Sequence, residues 1–365
     1  MDQQSKSTIS GWQAATLLFL SRIFSTMVYV PRSQGVEGAT ALVGALVAVA
    51  IELLLALPLW LLLRKMGDRD IVACAWELSP LLGKGTALLV WGMALLSCII
   101  VICQLDIFLV STVFPRHPEE MILLLFGLAI LYGAWMGLEA CARLGAGVFV
   151  AYLLVNLFVG LEMIPHYNLL TLRSPFLQGI GPIFRSALSF AAFQGETAAF
   201  FMLAPRVKGK ITRPYVATIL LTAAGVLAVS FMTVTALGAY GGTQIYPVYA
   251  LFTMTSFLSL ERMDSLYMTL WLLIAFLKSV LCLIVARDSL VYLVPEKKKW
   301  MIHLGNVLLS TMIGGVLLFQ ARDLELVHGL RLGAYPALSV MVLVPALLLG
   351  VRSLRHRKQQ KEAEG

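Results

Sequence analysis

Five ionisable side chains fall within long apolar runs: Arg22, Glu52, Asp106, Glu196 and Lys278. A charge at bilayer depth costs roughly 2.5–3.5 kcal/mol on insertion scales, so such residues face a partner, a cavity or a functional site. The most informative stretch runs from Ser186 to Pro205. It is long and apolar enough to cross a bilayer, yet its middle reads Phe193-Gln194-Gly195-Glu196. Glycine there loosens a helix, and irregular backbone is tolerated at that depth only around protein or water. Two readings are open: a broken helix at a ligand site, or a packing glycine beside a glutamate that pairs with a neighbouring helix. A second polar interruption, Leu20-Ser-Arg-Ile-Phe-Ser-Thr26, breaks an earlier run with Ser21, Arg22, Ser25 and Thr26. At 1.5 Å per residue, Arg22 lies ~15 Å from Trp12 and Glu196 ~15 Å from Ser186. Both therefore fall near the midplane.

The other ionisable residues have competing readings. Lys278 lies slightly inside the midplane of its run, where an ammonium can replace a bound sodium ion or release a proton on desolvation. It can also snorkel along apolar neighbours towards the surface. Glu52 can pair with Arg22 structurally, and Asp106 can mark the outer interface. Glu261 and Asp264 open a helix whose positive N-terminal end favours carboxylates. Arg262 can tie the adjoining loop down, and a gate role is the lesser reading for this group.

Hydrolytic and redox constellations are missing: there is no nucleophile elbow, no phosphate loop and no metal-ligand spacing among the five histidines. The expectation is that the chain is not an enzyme and needs no cofactor or metal. The five cysteines have no CxxC pairing and read as small apolar packing residues. Gly145-Ala-Gly147 means close helix packing at most.

These residues must be carried by membrane helices. The 365-residue chain is 59% hydrophobic and 13% charged, with mean hydropathy +0.85. Soluble domains carry about 25% charged residues, so this is an integral membrane protein. Its runs give an all-α polytopic protein with ten spans, near 12–31, 39–63, 82–113, 119–140, 143–164, 185–205, 212–240, 261–290, 300–320 and 333–352. Of the 28 Lys and Arg residues, nineteen fall in segments on the N-terminal side, seven opposite and two (Arg22, Lys278) within spans. The positive-inside rule places both termini in the cytoplasm. The net charge of +8 is thus topological and implies no nucleic acid.

The spans divide five and five, over 11–165 and 183–352, as inverted repeats of one membrane domain, with a basic cytoplasmic tail over 353–365 that suits anionic lipid. Interrupted first and sixth helices, in matching places of inverted halves, point to a transporter-type midplane site. That site would comprise Ser21, Arg22, Ser25 and Thr26 with Phe193, Gln194, Gly195 and Glu196, and Lys278 behind. Two longer outer segments, Pro165 to Ile183 and Gly241 to Ser259, could lid it. The second, with Tyr246-Pro-Val-Tyr-Ala-Leu-Phe, reads more simply as an interfacial helix anchored by tyrosines.

The chain resembles the spore germination permease family, the GerAB-like B subunits of endospore nutrient receptors. The resemblance rests on Ile9-Ser10…Gln13, Gly137-Leu-Glu-Ala-Cys-Ala-Arg143, Pro205, Tyr246-Pro-Val-Tyr-Ala-Leu251, Leu260-Glu-Arg-Met-Asp-Ser-Leu-Tyr-Met-Thr-Leu-Trp271 and Phe276-Leu-Lys278. It implies the LeuT-like fold of the amino acid–polyamine–organocation superfamily. It also implies a subunit of the spore inner membrane that binds a small nutrient, commonly an amino acid. A and C subunits would be its partners in signalling germination. The alternative is a proton-coupled amino-acid carrier on the same scaffold; a third possibility is a channel-like component that passes water or ions without sensing ligand.

Overall fold

A computed structural model describes residues 8–28, 38–67, 69–113, 119–173, 176, 179–192, 199–244, 246–255, 263–294 and 299–320. The described residues are helical and contain no β-sheet; the one strand-like contact is a bridge between Ile9 and Val207. Six of the helices are long and apolar enough to cross a membrane. The expected tenth span, 333–352, and the tail lie outside the described residues.

The central element is α1, Gly11–Val28. Ser10 and Gln13 bond reciprocally, Gln13 N to Ser10 Oγ at 3.2 Å and Ser10 N to Gln13 Oε1 at 2.9 Å. This capping box satisfies two donors that a helix start would otherwise leave orphaned. Replacing Ser10 with alanine should cost about 1 kcal/mol of stability, seen as earlier thermal unfolding in nanodiscs. From Ala14 to Met27, α1 is almost wholly buried. It packs against α6 (Leu138–Glu162), α9 (Thr212–Leu237) and α12 (Asp264–Leu290). Two glycines permit the close approach. A Cβ at Gly145 of α6 would sit 3.3 Å from Leu17, and one at Gly225 of α9 would sit 3.0 Å from Ile23. Gly147 faces open space, so only the first glycine of that pair serves packing.

The expectation of an interruption within this helix is corrected. The backbone of α1 runs helically through Ser21, Arg22, Ser25 and Thr26. The residues are compatible with it, because a guanidinium can reach a hydroxyl one turn on: Arg22 Nη1 donates to Thr26 Oγ1 at 3.2 Å. Polar side chains here occupy the helix without breaking it.

The other elements of this half are α2 (Gly38–Met66), α3 (Ile71–Leu78), α4 (Pro80–Phe108) and α5 (Glu119–Met136). The short α3 was not expected from the run pattern. It starts where Asp70 caps it, Oδ1 accepting from Ala73 N at 2.8 Å, and ends at Ser79, which caps α4 in turn. A π-helical turn, Leu109–Val113, closes α4. Of the expected sixth span, two helical stretches are described, α7 (Ile180–Ala192) and α8 (Ala199–Leu203). Phe193, Gln194, Gly195 and Glu196 lie between them, outside the described residues. After α9 come α10 (Ala239–Thr243), α11 (Pro247–Thr253) and α12, followed by α13 (Lys299–Gln320). In α11, Val248, Leu251 and Phe252 are buried and Tyr246 is 9% exposed. The segment therefore inserts among helices instead of anchoring at a lipid interface.

Candidate ligand site

Ser21, Arg22, Ser25 and Thr26 are each 2% exposed. Spacings of three and four residues place them along neighbouring faces of one and a half turns of α1. α12 brings Lys278 to the same level: its Nζ donates to Ser25 Oγ at 2.8 Å and lies 5.1 Å from the Phe24 ring centroid. Lys278 is 2% exposed. Its ammonium is therefore held at α1 and does not snorkel to a surface. Arg22 of α1 and Lys278 of α12, whose ammonium is held at Ser25 three residues along from Arg22, are both buried and give a cationic locus suited to a carboxylate.

The other expected residues are spread around this point. Glu52 is buried in α2, one turn from Ala56, whose carbonyl accepts from Tyr215 at 3.3 Å. Asp106 is buried at 2% exposure near the end of α4, so it lies inside the bundle and not at an exposed interface. Asp264 opens α12 and accepts from Tyr249 Oη of α11 at 3.3 Å. Glu261 and Arg262 lie outside the described residues.

An aromatic cluster, missed in the sequence, covers the Lys278 level. Phe24 stacks on Trp271 at 5.1 Å, and Phe108 approaches Trp271 at 4.5 Å and Tyr246 at 4.9 Å. Tyr267 donates to the Met27 carbonyl at 3.1 Å, tying α12 to α1. Tyr267 and Trp271 are spaced one turn apart in the run that carries the family resemblance, which was the available signal.

The opposite side is closed by a different chemistry. Ile9 N donates to Arg206 O and Lys208 N to Ile9 O, both at 2.9 Å, pinning the start of α1 to the segment after α8. Arg206 contacts Asp288 of α12 at 2.7 Å, an ion contact without hydrogen-bond alignment, while Arg287 donates to the same carboxylate at 2.6 Å. Beyond α12, Tyr292 Oη donates to Asp70 Oδ2 at 2.5 Å. Burial, and then this hydrogen bond to Asp70, hold the Tyr292 phenol above its ordinary value of 10.0. A raised folded-state pKa contributes stability that is present below the unfolded value and lost as alkali ionises the folded phenol. Tyr292→Phe should therefore lower the melting temperature at neutral pH. The gap from the wild type should shrink above about pH 10, as followed by thermal scans across pH.

This arrangement is that of a membrane carrier or receptor scaffold: a buried polar centre beside a central helix, with side-chain closures towards both ends. The chain is similar in structure to a Na+-coupled sialic acid symporter in a substrate-bound outward-open state, with TM-score 0.64, 12% identity, and coverage of 93% of this chain and 80% of that one. It is also similar to Mhp1, a nucleobase-cation-symport-1 family transporter, in a closed conformation with bromovinylhydantoin bound. Here the TM-score is 0.67 at 10% identity, over 94% of this chain and 78% of that one. The fold is thus LeuT-like. A search of curated proteins finds no match. The family model described as "Spore germination protein" matches residues 8–321, and the chain belongs to that family. It is a multi-pass membrane protein of the nutrient receptor or permease type.

Proposed function

We propose that the chain is the nutrient-binding B subunit of a spore germination receptor, and that its ligand is a small zwitterion, an amino acid. The observation that supports this best is the Lys278–Ser25 contact beside Arg22, which gathers buried cations at one level of the central helix. Ser21, Arg22, Ser25 and Thr26 would receive the carboxylate, with Phe193, Gln194, Gly195 and Glu196 completing the pocket and Glu196 receiving the ammonium. Lys278 would stand where a coupling cation could sit. Glu52, Asp106, Glu261, Arg262 and Asp264 would be structural or gating. In this reading the two repeats, 11–165 and 183–352, are inverted, both termini are cytoplasmic, and the membrane is the spore's inner one. Ligand binding would be relayed to A and C subunits.

The likeness to two cation-linked symporters supports a second reading, a proton-coupled amino-acid carrier using the same pocket. Uphill uptake in proteoliposomes under a proton gradient would favour it. For either reading, Glu196→Gln should weaken amino-acid affinity and raise the nutrient concentration needed for germination. A charge-assisted hydrogen bond of ~1.5–3 kcal/mol corresponds to roughly 10- to 150-fold. Unchanged affinity and germination, with the subunit at normal level, would remove Glu196 from the site.

A further inference from the structure

Along α2, Leu54, Leu57 and Leu61 are exposed and recur at intervals of three and four residues. They form one outward apolar stripe, and it ends on the exposed Arg64. Along α9, Leu220 and Val216 form a second outward stripe, which ends on the exposed Arg213. The two helices pack against each other. Ala41 meets Val234, and Ala45 and Ala48 cluster with Val226, so α2 and α9 run antiparallel. Continuing that register brings Leu61 about level with Arg213, and Arg64 about level with Lys210. Lys210 is itself exposed and follows a fixed turn. Lys208 N is tied to Ile9 O at 2.9 Å, and Gly209 takes a φ of 82° that favours glycine.

Basic residues at one end of a membrane protein set its orientation and need no ligand. Depth and charge balance set these three apart. An arginine at a helix end ordinarily extends away from the bilayer into water. Arg64 instead has its guanidinium 4.9 Å from the ring centroid of Trp60, one turn back along α2. Tryptophan at a span end sits at headgroup depth, and Arg64 is held there with it. Arg69, Arg143, Arg206 and Arg287 each contact a carboxylate. Arg64, Lys210 and Arg213 enter no ion pair among the described residues. Three cations gathered within about one turn therefore lack an anion from the chain itself.

We propose that the α2–α9 groove binds one anionic phospholipid, whose headgroup phosphate is held by Arg64 and Arg213 with Lys210 beside them. A guanidinium takes two phosphate oxygens at once, which suits a phosphodiester at this depth. An acyl chain lies along the two apolar stripes that lead away from the arginines. A soluble anion has nothing to offer those stripes, so the occupant is a lipid. The headgroup joins α2 to the turn over 207–210, and that turn is paired with Ile9 at the start of α1. The bound lipid therefore braces the closure at this end of the bundle. Only the leaflet it comes from, the cytoplasmic one, rests on the orientation proposed above.

The test counts the lipid that the full chain retains. The protein is reconstituted in nanodiscs of mixed phosphatidylglycerol and phosphatidylcholine, released into mild detergent and analysed by native mass spectrometry. The wild type should keep phosphatidylglycerol in preference to phosphatidylcholine. Arg64→Gln and Arg213→Gln should each lower that preference about tenfold, the effect of losing one charge-assisted hydrogen bond. Lys84→Gln removes an exposed cation from the start of α4, at the same end, and should leave the preference unchanged. The tail over 353–365 is present in every variant, so its attraction for anionic lipid cancels. Equal losses in all three variants would mean a diffuse field, and no preference in the wild type would mean no site; either result overturns the proposal. Release of the retained lipid by inorganic phosphate would show an anion site indifferent to acyl chains and would overturn it as well. In the nanodiscs, phosphatidylglycerol should slow amide exchange at Ile9 and Lys208 several-fold relative to phosphatidylcholine alone, and Arg64→Gln should abolish the slowing. Exchange that ignores the lipid, or slowing that survives Arg64→Gln, would overturn the bracing role.

Discussion

Lys278→Met is expected to abolish the nutrient response while leaving the folded protein intact or slightly more stable. Methionine matches the length of the lysine stem and removes only the ammonium, which donates to Ser25 and lies over Phe24. Replacing a buried charge by a well-packed apolar residue is often neutral or stabilising, because the desolvation penalty disappears with it. Loss of one member of a buried charged site costs about 2–5 kcal/mol of binding, roughly 30- to several-thousand-fold in affinity. The opposed directions of the two readouts separate a functional from a structural lysine. If Lys278→Met keeps wild-type affinity and germination, the lysine serves packing alone.

Asp288→Asn has the largest expected effect on stability. The carboxylate stands between Arg206 and Arg287, with its side chain 12% exposed and Arg206 20% exposed. Neutralising it leaves two guanidinium groups facing each other with little water to screen them. Breaking a buried pair in this way costs about 3–5 kcal/mol. The loss should be local first. Amides of Ile9 and Lys208, which pair across the junction, should exchange faster than those of the α1 interior. Adding Arg206→Gln should recover part of the stability by removing one of the stranded charges, which thermal scans of the single and double variants would show. A melting temperature for Asp288→Asn equal to that of the wild type would mean that the contact is solvated and contributes nothing.

The sequence made the membrane class and the helical runs readable, because charge depletion and run length depend only on composition. The break expected at Leu20–Thr26 is not there, for α1 is helical from Gly11 to Val28. Ser21, Arg22, Ser25 and Thr26 look like a break when hydropathy is scored residue by residue. Side chains that bond within their own turn, as Arg22 does to Thr26, keep the helix continuous. α3 was hidden because Ile71–Leu78 is too short to span and is defined by two caps, Asp70 and Ser79. The aromatic cluster was hidden for another reason. Phe24, Phe108, Tyr246 and Trp271 come from four elements distant in sequence, and only packing unites them.

The most direct test of the central claim is a cryo-electron microscopy map of the full chain, within its receptor, soaked with the amino acid that triggers germination. Ligand density is expected beside α1, with its carboxylate at Ser21–Thr26 and its ammonium towards residues 193–196. Density on the lipid-facing surface, or a map that the ligand leaves unchanged at Arg22 and Lys278 in a germination-competent complex, would contradict it.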